Sequence, residues 1–210
     1  MLDMMRKNGL TLAVFALACT ALVAFTHSLT RQTIVEQEQA QLLLVLNELL
    51  PPESHDEPLF DHCVLLGNEQ YLGSPDPLPV FTAVKNGEVQ GHAIEAIAPD
   101  GYSGAIKLVV GVRADGSLSG VRVLNHNETP GLGDKIELKK SPWVRGFDGK
   151  SLLGEEDPRW AVRNDGGQFD AFTGATITPR AVVKAVRNVL LLVDQQPQLL
   201  TRSPRCGDTL

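Results

Sequence analysis

An uncharged, apolar run at residues 9–25 opens the hydrophobic pattern of this chain. As an α-helix, its 17 residues would extend over about 26 Å, close to the thickness of the hydrocarbon core of a bilayer. Arg6 and Lys7 precede the run, and the positive-inside rule places such a start in the cytoplasm. Residues 1–29 are therefore predicted to be a cytoplasmic start and a single transmembrane anchor. In a bacterium, the rest of the chain would lie in the periplasm.

A cleaved signal peptide is the alternative interpretation, because a basic start followed by an apolar stretch is also typical of secretory signals. No convincing small-residue cleavage site follows Phe25. Residues 16–19 faintly resemble a lipoprotein processing box, but Ala16 stands where a larger aliphatic residue is usual, and apolar residues continue past Cys19. A retained anchor is favoured, with Cys19 as a small residue of the membrane helix.

Residues 30–52 predict an amphipathic helix that continues the anchor as a stalk. Its apolar residues, spaced among glutamine and glutamate, are Ile34, Leu42, Val45, Leu46, Leu49 and Leu50. Pro51 and Pro52 end it. Packing of this helix on the following domain and docking of a partner subunit are the alternatives. Residues 53–79, rich in proline and turn residues, predict an irregular connection.

Alternating apolar residues then predict a sheet. Residues 80–85 and 89–97 flank Asn86-Gly87, a strong hairpin signal. Residues 106–112 and 118–124 repeat the pattern around an Asp-Gly turn. Later short strands are predicted at residues 160–162 and 168–172.

A long helix is predicted to begin at Pro179, with Thr178 as its N-cap. Its apolar positions recur three and four apart: Ala181, Val182, Val183, Ala185, Val186, Val189, Leu190 and Leu192. Residues 80–195 thus predict an α+β domain with a mainly antiparallel sheet and flanking helices, not a Rossmann unit. Residues 196–210 would form a C-terminal tail.

Composition excludes several classes of partner and ligand. A net charge of −6, without a basic stripe interleaved with aromatics, argues against nucleic acid. His126 and Glu128 have no further His or Cys at ligand spacing, so we interpret them as solvated polar residues and predict no metal. Cys63 and Cys206 fit either a disulfide in an oxidising compartment or two free buried thiols.

Familiar catalytic motifs are incomplete. Residues 101–105 lack the register of a Gly-x-Ser-x-Gly nucleophile elbow. The Gly131-Leu132-Gly133 run has Ile136 where a dinucleotide fingerprint needs its third glycine, and no complete Walker motif ending in lysine and serine or threonine occurs. Hydrolase activity and binding of nicotinamide or ATP are therefore not favoured.

The run of residues 173–179, with sequence TGATITP, places hydroxyls beside a helix start, which suits a phosphate. Gly174 lets the backbone approach a ligand closely. By spacing alone, a turn leading into a capped helix is the favoured interpretation. Residues 170–178, however, resemble the Ser/Thr-Gly-Ala-Thr signature of periplasmic FMN-binding domains that carry flavin covalently. That resemblance implies FMN joined to Thr176 as a phosphodiester. Its neighbours in the site would be Thr173, Gly174, Ala175, Ile177 and Thr178.

Two further segments match the same family in the same order: residues 100–104 and residues 128–135. Over most of its length, to about Leu192, the chain resembles the RnfG family of the Rnf electron-transport complex and, more distantly, the related flavin-carrying component of the sodium-pumping NADH:quinone reductase. The binding residues implied in these segments are Tyr102, Ser103, Glu128, Thr129, Gly131, Leu132, Gly133 and Lys135. Tyr102, Trp143 and Phe172 are candidates to pack near the flavin ring. Lys135 would counter a negative charge there or simply be solvated.

The resemblance implies an electron relay in a membrane complex that couples ferredoxin and NADH redox chemistry to ion movement. Its implied partners are the flavin and iron–sulfur subunits of that complex. A flavin transferase is also implied, because a threonine hydroxyl is a weak nucleophile and must receive FMN from FAD through another enzyme. The alternatives are a membrane-tethered sensory or assembly domain without covalent flavin, and a stand-alone periplasmic flavin reductase.

Overall fold

The computed structural model describes residues 2–206. Its helices are α1 (Leu2–Leu49), α2 (Glu69–Leu72), α3 (Ile177–Gln195) and α4 (Leu199–Arg202). Its strands are β1 (Cys63–Asn68), β2 (Ser74–Lys85), β3 (Glu88–Ala98), β4 (Ile106–Arg113) and β5 (Leu118–Asn125). Short 3-10 helices span Pro52–Ser54, Gly133–Ile136, Pro142–Phe147 and Arg163–Asp165. The fold is α+β, as predicted.

The chain divides into two units, residues 1–44 and the domain from Val45 onward. The first unit is the larger part of α1, and the apolar side chains of residues 5–34 are exposed. In the described part of the chain, α1 is the one helix long and apolar enough to cross a membrane, with a window of mean hydropathy 2.1. It ends at Leu49, three residues before the predicted end of the stalk.

The sheet is an antiparallel meander in which β1 to β5 lie in chain order. Asn86 and Gly87 both have positive φ, 53° and 79°, as the tight turn between β2 and β3 requires. The four strands predicted from residue 80 onward are all present. Each is longer than predicted by one residue or more, because backbone pairing continues past the last clearly apolar position.

The stretch of residues 53–79, for which an irregular connection is predicted, instead contains β1, α2 and the first half of β2. This half of β2 contains three prolines, at positions 75, 77 and 79, and a strand is therefore not predicted there from the sequence. Pairing of β2 with β3 begins only at Val80, so the proline-rich half pairs with β1 alone. Proline is tolerated where a strand has one neighbour, because its missing N–H leaves no ladder partner unsatisfied.

The prediction of late strands at residues 160–162 and 168–172 is wrong. Val162 and Phe169 form a single isolated parallel bridge, with a 3-10 helix and two glycines between them. Their apolar neighbours pack into an aromatic cluster instead: the rings of Phe147 and Phe169 lie 4.5 Å apart, and those of Trp160 and Phe169 5.3 Å apart. Burial rather than ladder pairing accounts for the alternation seen in the sequence.

The sheet buries one face against α3. Val80, Ile94, Val110 and Val121 are successive cross-strand neighbours, and all are fully buried. They share a hydrophobic core with the apolar side of α3: Ala181, Val182, Val183, Ala185, Val186, Val189, Leu190, Leu191 and Leu192. This core fixes the position of the start of α3 relative to the sheet.

The opposite face of the sheet receives the last turn of α1, which belongs to the domain unit. Gly111 and Gly120 are cross-strand partners, and a Cβ on either would lie 3.0 Å from an atom of Leu49. Small residues there let the helix approach closely, and Leu49 is buried. Glu48 accepts a 2.6 Å hydrogen bond from Arg122 Nε at the same place. The end of the predicted stalk thus packs on the domain.

The C-terminal tail is fixed to β1. Cys63 and Cys206 form a disulfide, which decides between the two alternatives left by the sequence. Leu65 N–H also donates to Pro204 O at 2.7 Å, and Cys206 N–H donates to Cys63 O at 3.0 Å. The tail therefore continues hydrogen bonding at the outer edge of β1.

Replacement of both bonded cysteines in the Cys63→Ser/Cys206→Ser variant should destabilise the domain. The bridge joins residues 143 apart, and closing a loop of this size restricts the unfolded chain by an amount worth roughly 2–5 kcal/mol. Urea unfolding followed by tryptophan fluorescence measures the effect, because both tryptophans, Trp143 and Trp160, lie in the domain. Cys19→Ser, at an exposed free cysteine, is the matched control. Equal midpoints for the double variant and the wild type would contradict this role.

His92 makes stability depend on pH. Burial lowers the pKa of His92 to about 4, and its Nδ1 lies 3.0 Å from Thr82 Oγ1. As the pH falls below 6.5, the His92 side chain becomes protonated in the unfolded chain before it does in the folded domain. The free energy of unfolding therefore decreases by about 3 kcal/mol between pH 6.5 and 4. His92→Gln should remove this component.

Urea unfolding of wild type and His92→Gln at pH 7 and pH 4.5 checks the expectation. Burial raises the pKa of Glu95, which opposes the His92 effect over part of this range, but Glu95 is present in both proteins. The difference between the two pH dependences therefore isolates His92. Parallel profiles would show that His92 does not titrate as expected.

Candidate functional site

A pocket of about 310 Å³ opens at the start of α3. It brings together ten of the residues predicted to bind the cofactor: Tyr102, Glu128, Thr129, Leu132, Gly133, Gly174, Ala175, Thr176, Ile177 and Thr178. They come from three segments that are far apart in the sequence. The core between α3 and the sheet holds those segments together.

The helix begins two residues earlier than predicted. α3 starts at Ile177 and is preceded by Thr176, whose side chain makes no capping hydrogen bond. Thr178, predicted as the N-cap, is instead the second residue of the helix and is fully buried. Its hydroxyl donates to Glu128 Oε2 at 2.5 Å, so a tertiary contact replaces the local cap. Pro179 still lies in the first turn, where its missing N–H costs nothing.

Glu128 joins the three segments. It is only 4% exposed, and besides the Thr178 hydroxyl it accepts a hydrogen bond from Ser103 N–H at 3.1 Å. Its own N–H donates to Nδ1 of His126, whose Nε2 lies 2.8 Å from Glu137 Oε1. The interpretation of His126 and Glu128 as solvated residues is therefore wrong, because both take part in a largely buried hydrogen-bonded network.

Glycines make room for this network. A Cβ on Gly133 would lie 2.8 Å from Glu128 Oε2 and 3.0 Å from Thr178 Oγ1. Gly174 has a φ of 83°, a backbone conformation that residues other than glycine rarely adopt. The two glycine motifs seen in the sequence therefore have distinct roles, close packing in one case and a left-handed turn in the other.

Five predicted residues do not line the pocket: Thr173, Gly131, Lys135, Ser103 and Trp143. Ser103 contributes its N–H to Glu128, and Lys135 Nζ lies 6.0 Å from the centre of the Phe172 ring. Trp143 lines a separate, more open pocket of about 480 Å³ and packs edge-on against Phe172 at 5.1 Å. The residues proposed to pack near the ring thus lie in two different places.

Two features beside the site were not predicted from the sequence. Asp134 is buried; its Oδ1 has no hydrogen-bond partner within residues 2–206, and Lys140 Nζ lies 3.7 Å from its Oδ2. The position of His126 beside the Glu128 backbone is the second feature. A carboxylate that follows two glycines is only a weak signal for the burial of Asp134. No local sequence pattern indicates the position of His126.

Comparison with protein families gives matches over both units. The FMN-binding domain family matches residues 101–191, a stretch that contains the whole pocket, and the RnfG N-terminal region matches residues 1–49. The domain is therefore of the FMN-binding class, and FMN is its cofactor.

Full-length relatives narrow the assignment. The chain is 54% identical over 208 residues to the G subunit of the ion-translocating oxidoreductase complex of Vibrio atlanticus, covering 99% of both chains. It is 55% identical over 207 residues to the G subunit from Aliivibrio fischeri, covering 98% of this chain and 99% of the relative. The G subunit from Shewanella loihica is 52% identical over 198 residues, 94% of this chain and 93% of the relative. The chain belongs to this family, the G subunits of ion-translocating oxidoreductase complexes.

The pocket residues fit FMN, which combines an anionic phosphate with a flat, largely apolar ring. The first N–H groups of α3 are left without helical acceptors by the geometry of any helix start, and the dipole there favours a negative charge. Leu132, Ile177 and Tyr102 line the same pocket and are 42%, 45% and 67% exposed. Exposed apolar surface beside a helix start offers contacts for both parts of the cofactor.

Gly133→Ala should destabilise the domain by roughly 1–3 kcal/mol, because the new methyl group meets buried Glu128 and Thr178 atoms at 2.8–3.0 Å. Gly146→Ala is the control, since a Cβ there meets nothing within 4 Å. Urea unfolding followed by tryptophan fluorescence compares the two variants. An unchanged midpoint for Gly133→Ala would mean that the packing around Glu128 is looser than described.

Proposed function

We propose that Thr176 carries the FMN of this domain as a phosphodiester, and that the chain relays electrons between redox centres of an ion-translocating complex. The chain is an FMN-carrying subunit of an electron-transport complex.

Thr129 also lines the pocket but lies outside the motif of residues 173–178. Within that motif there are three threonine hydroxyls, and their surroundings distinguish them. Thr178 is fully buried, and its hydroxyl already donates to Glu128. Thr173 is exposed and lies outside the pocket lining. Thr176 is half-buried, lines the pocket and immediately precedes α3, without a capping hydrogen bond that would occupy its hydroxyl. This difference in availability is the observation that carries the proposal.

The residues around Thr176 supply binding but no means of activating a hydroxyl. A threonine needs a general base or an enzyme to become a nucleophile, and Glu128, the carboxylate in the pocket lining, is engaged by two protein donors. We therefore assign attachment to a separate flavin transferase. The Thr176 oxygen would form a bond to the FMN phosphorus of FAD as the pyrophosphate bond breaks, AMP leaves and the hydroxyl proton passes to the transferase.

Bound FMN supplies one- and two-electron redox chemistry, and the chain supplies attachment and surroundings. Attachment through the phosphate leaves the ring free to exchange electrons with neighbouring subunits. The start of α3 would stabilise the remaining negative charge of the phosphodiester. Leu132, Ile177 and Tyr102 would cover part of the ring and limit its contact with water.

The other subunits of the complex are the partners. We propose that they include flavin- and iron–sulfur-containing subunits. The family and α1 support an inner-membrane location. We propose that the domain is periplasmic. Arg6 and Lys7 favour a cytoplasmic start, and the Cys63–Cys206 disulfide is typical of an oxidising compartment.

Thr176→Val should abolish covalent flavin while preserving the shape of the side chain, and Thr176→Ser should retain some because it keeps the hydroxyl. Each variant is made at full length in cells with a periplasmic flavin transferase, and yellow fluorescence is read after denaturing electrophoresis. Thr173→Val should remain fluorescent.

Two results would count against the proposal. Fluorescence in Thr176→Val equal to the wild type would remove Thr176 as the acceptor. Absence of fluorescence in the wild type, with export and transferase activity verified, would favour a sensory or assembly domain without covalent flavin.

A further inference from the structure

The carboxylate of Glu128 lines the flavin pocket, yet its hydrogen bonds go to the protein. Oε1 accepts from Ser103 N–H at 3.1 Å, and Oε2 accepts from the Thr178 hydroxyl at 2.5 Å. These donors lie 25 and 50 residues away in sequence. A buried carboxylate is costly unless it is paired, so these two bonds strongly favour one arrangement of the three segments.

Two glycines leave room for the carboxylate. A Cβ on Gly101 would lie 2.9 Å from Oε1, and one on Gly133 would lie 2.8 Å from Oε2. No side chain larger than glycine fits on either side without a shift. A larger residue at position 101 or 133 would therefore displace the carboxylate or the backbone beside it.

The chemistry of the ligand also argues against a direct binding role for Glu128. A phosphodiester is an anion, and a second negative charge in the same pocket repels it. Neither oxygen of the carboxylate can donate a hydrogen bond when ionised. Contact between Glu128 and the phosphate would therefore weaken binding, whereas contact between Glu128 and Thr178 fixes the backbone beside it.

Thr178 connects this network to the attachment residue. It lies two positions after Thr176, in the first turn of α3, and is fully buried. Thr176 itself makes no capping hydrogen bond. The direction of the Thr176 hydroxyl thus depends on how firmly its backbone is held, and the Thr178–Glu128 bond is a buried side-chain contact that holds the same turn.

We propose that Glu128 is a positioning residue for flavin attachment: through Thr178, it fixes the first turn of α3 so that the Thr176 hydroxyl faces the pocket. This inference rests on Thr176 being the attachment residue. It differs from that proposal in assigning Glu128 and Thr178 to presentation of the acceptor rather than to contact with FMN.

The test measures the initial rate of FMN incorporation into full-length protein in detergent, with purified flavin transferase and FAD. Thr178→Val keeps the shape but removes the hydroxyl, and should slow incorporation about tenfold, the effect of losing one buried hydrogen bond. Thr178→Ser restores the donor and should stay within about threefold of the wild type. Glu128→Gln should lie between them, because its amide nitrogen replaces one of the two acceptor oxygens.

Coupling between the two residues gives a sharper readout than loss of stability. If Glu128 acts through Thr178, the Glu128→Gln/Thr178→Val double variant should be no slower than Thr178→Val alone. Thr33→Val, in an exposed part of α1, is the matched control and should react at the wild-type rate. Tryptophan fluorescence gives the folded fraction of each variant, to which its rate is normalised.

The outcomes separate this inference from the proposed function. A wild-type rate for Thr178→Val, or a rate for Thr178→Ser as low as that of Thr178→Val, would overturn the positioning role while leaving Thr176 as the acceptor. Incorporation into Thr176→Val would overturn the assignment of Thr176 itself. If Thr178→Val does not fold, Glu128→Gln decides: a rate equal to the wild type overturns the positioning role, and a reduced rate supports it.

Discussion

The two hydrogen bonds accepted by the buried carboxylate of Glu128 are the constraint on which the site depends. They connect the loop before β4 to the loop after β5 and to the start of α3. A buried carboxylate without hydrogen-bond partners would destabilise the folded state by several times the free energy that a surface interaction contributes. The pocket therefore forms only when sheet, loops and helix are all in place.

The sheet supports this arrangement from both sides. On one face, cross-strand valine and isoleucine residues pack against α3 and fix the helix that begins at the pocket. On the other face, Gly111 and Gly120 leave room for the end of α1, so that Leu49 packs closely against the sheet.

The elements governed by local signals could be predicted from the sequence. Asn86-Gly87 defines a tight turn because both residues adopt positive φ, and the alternating apolar residues beside it specify strands. The identity of the pocket segments also followed from their motifs.

Features that depend on tertiary contacts could not be predicted. The first half of β2 contains three prolines, so the sequence does not look like a strand there. This half pairs with β1 alone, and proline is tolerated because there is no second neighbouring strand. Thr178 looks like an N-cap in the sequence, but a carboxylate 50 residues away takes its hydroxyl. Trp160 and Phe169 alternate with polar residues as in a strand, but pack in an aromatic cluster. In each case, a distant partner outweighs the local preference.

Peptide mapping by mass spectrometry shows which threonine carries the cofactor. Trypsin cleavage after Arg163 and Arg180 releases a single peptide of residues 164–180 that contains Thr173, Thr176 and Thr178. Protein purified from cells with an active transferase should yield this peptide heavier by FMN less one water, and fragmentation should locate the added mass on Thr176. An unmodified peptide, or the added mass on Thr173 or Thr178, would contradict the account.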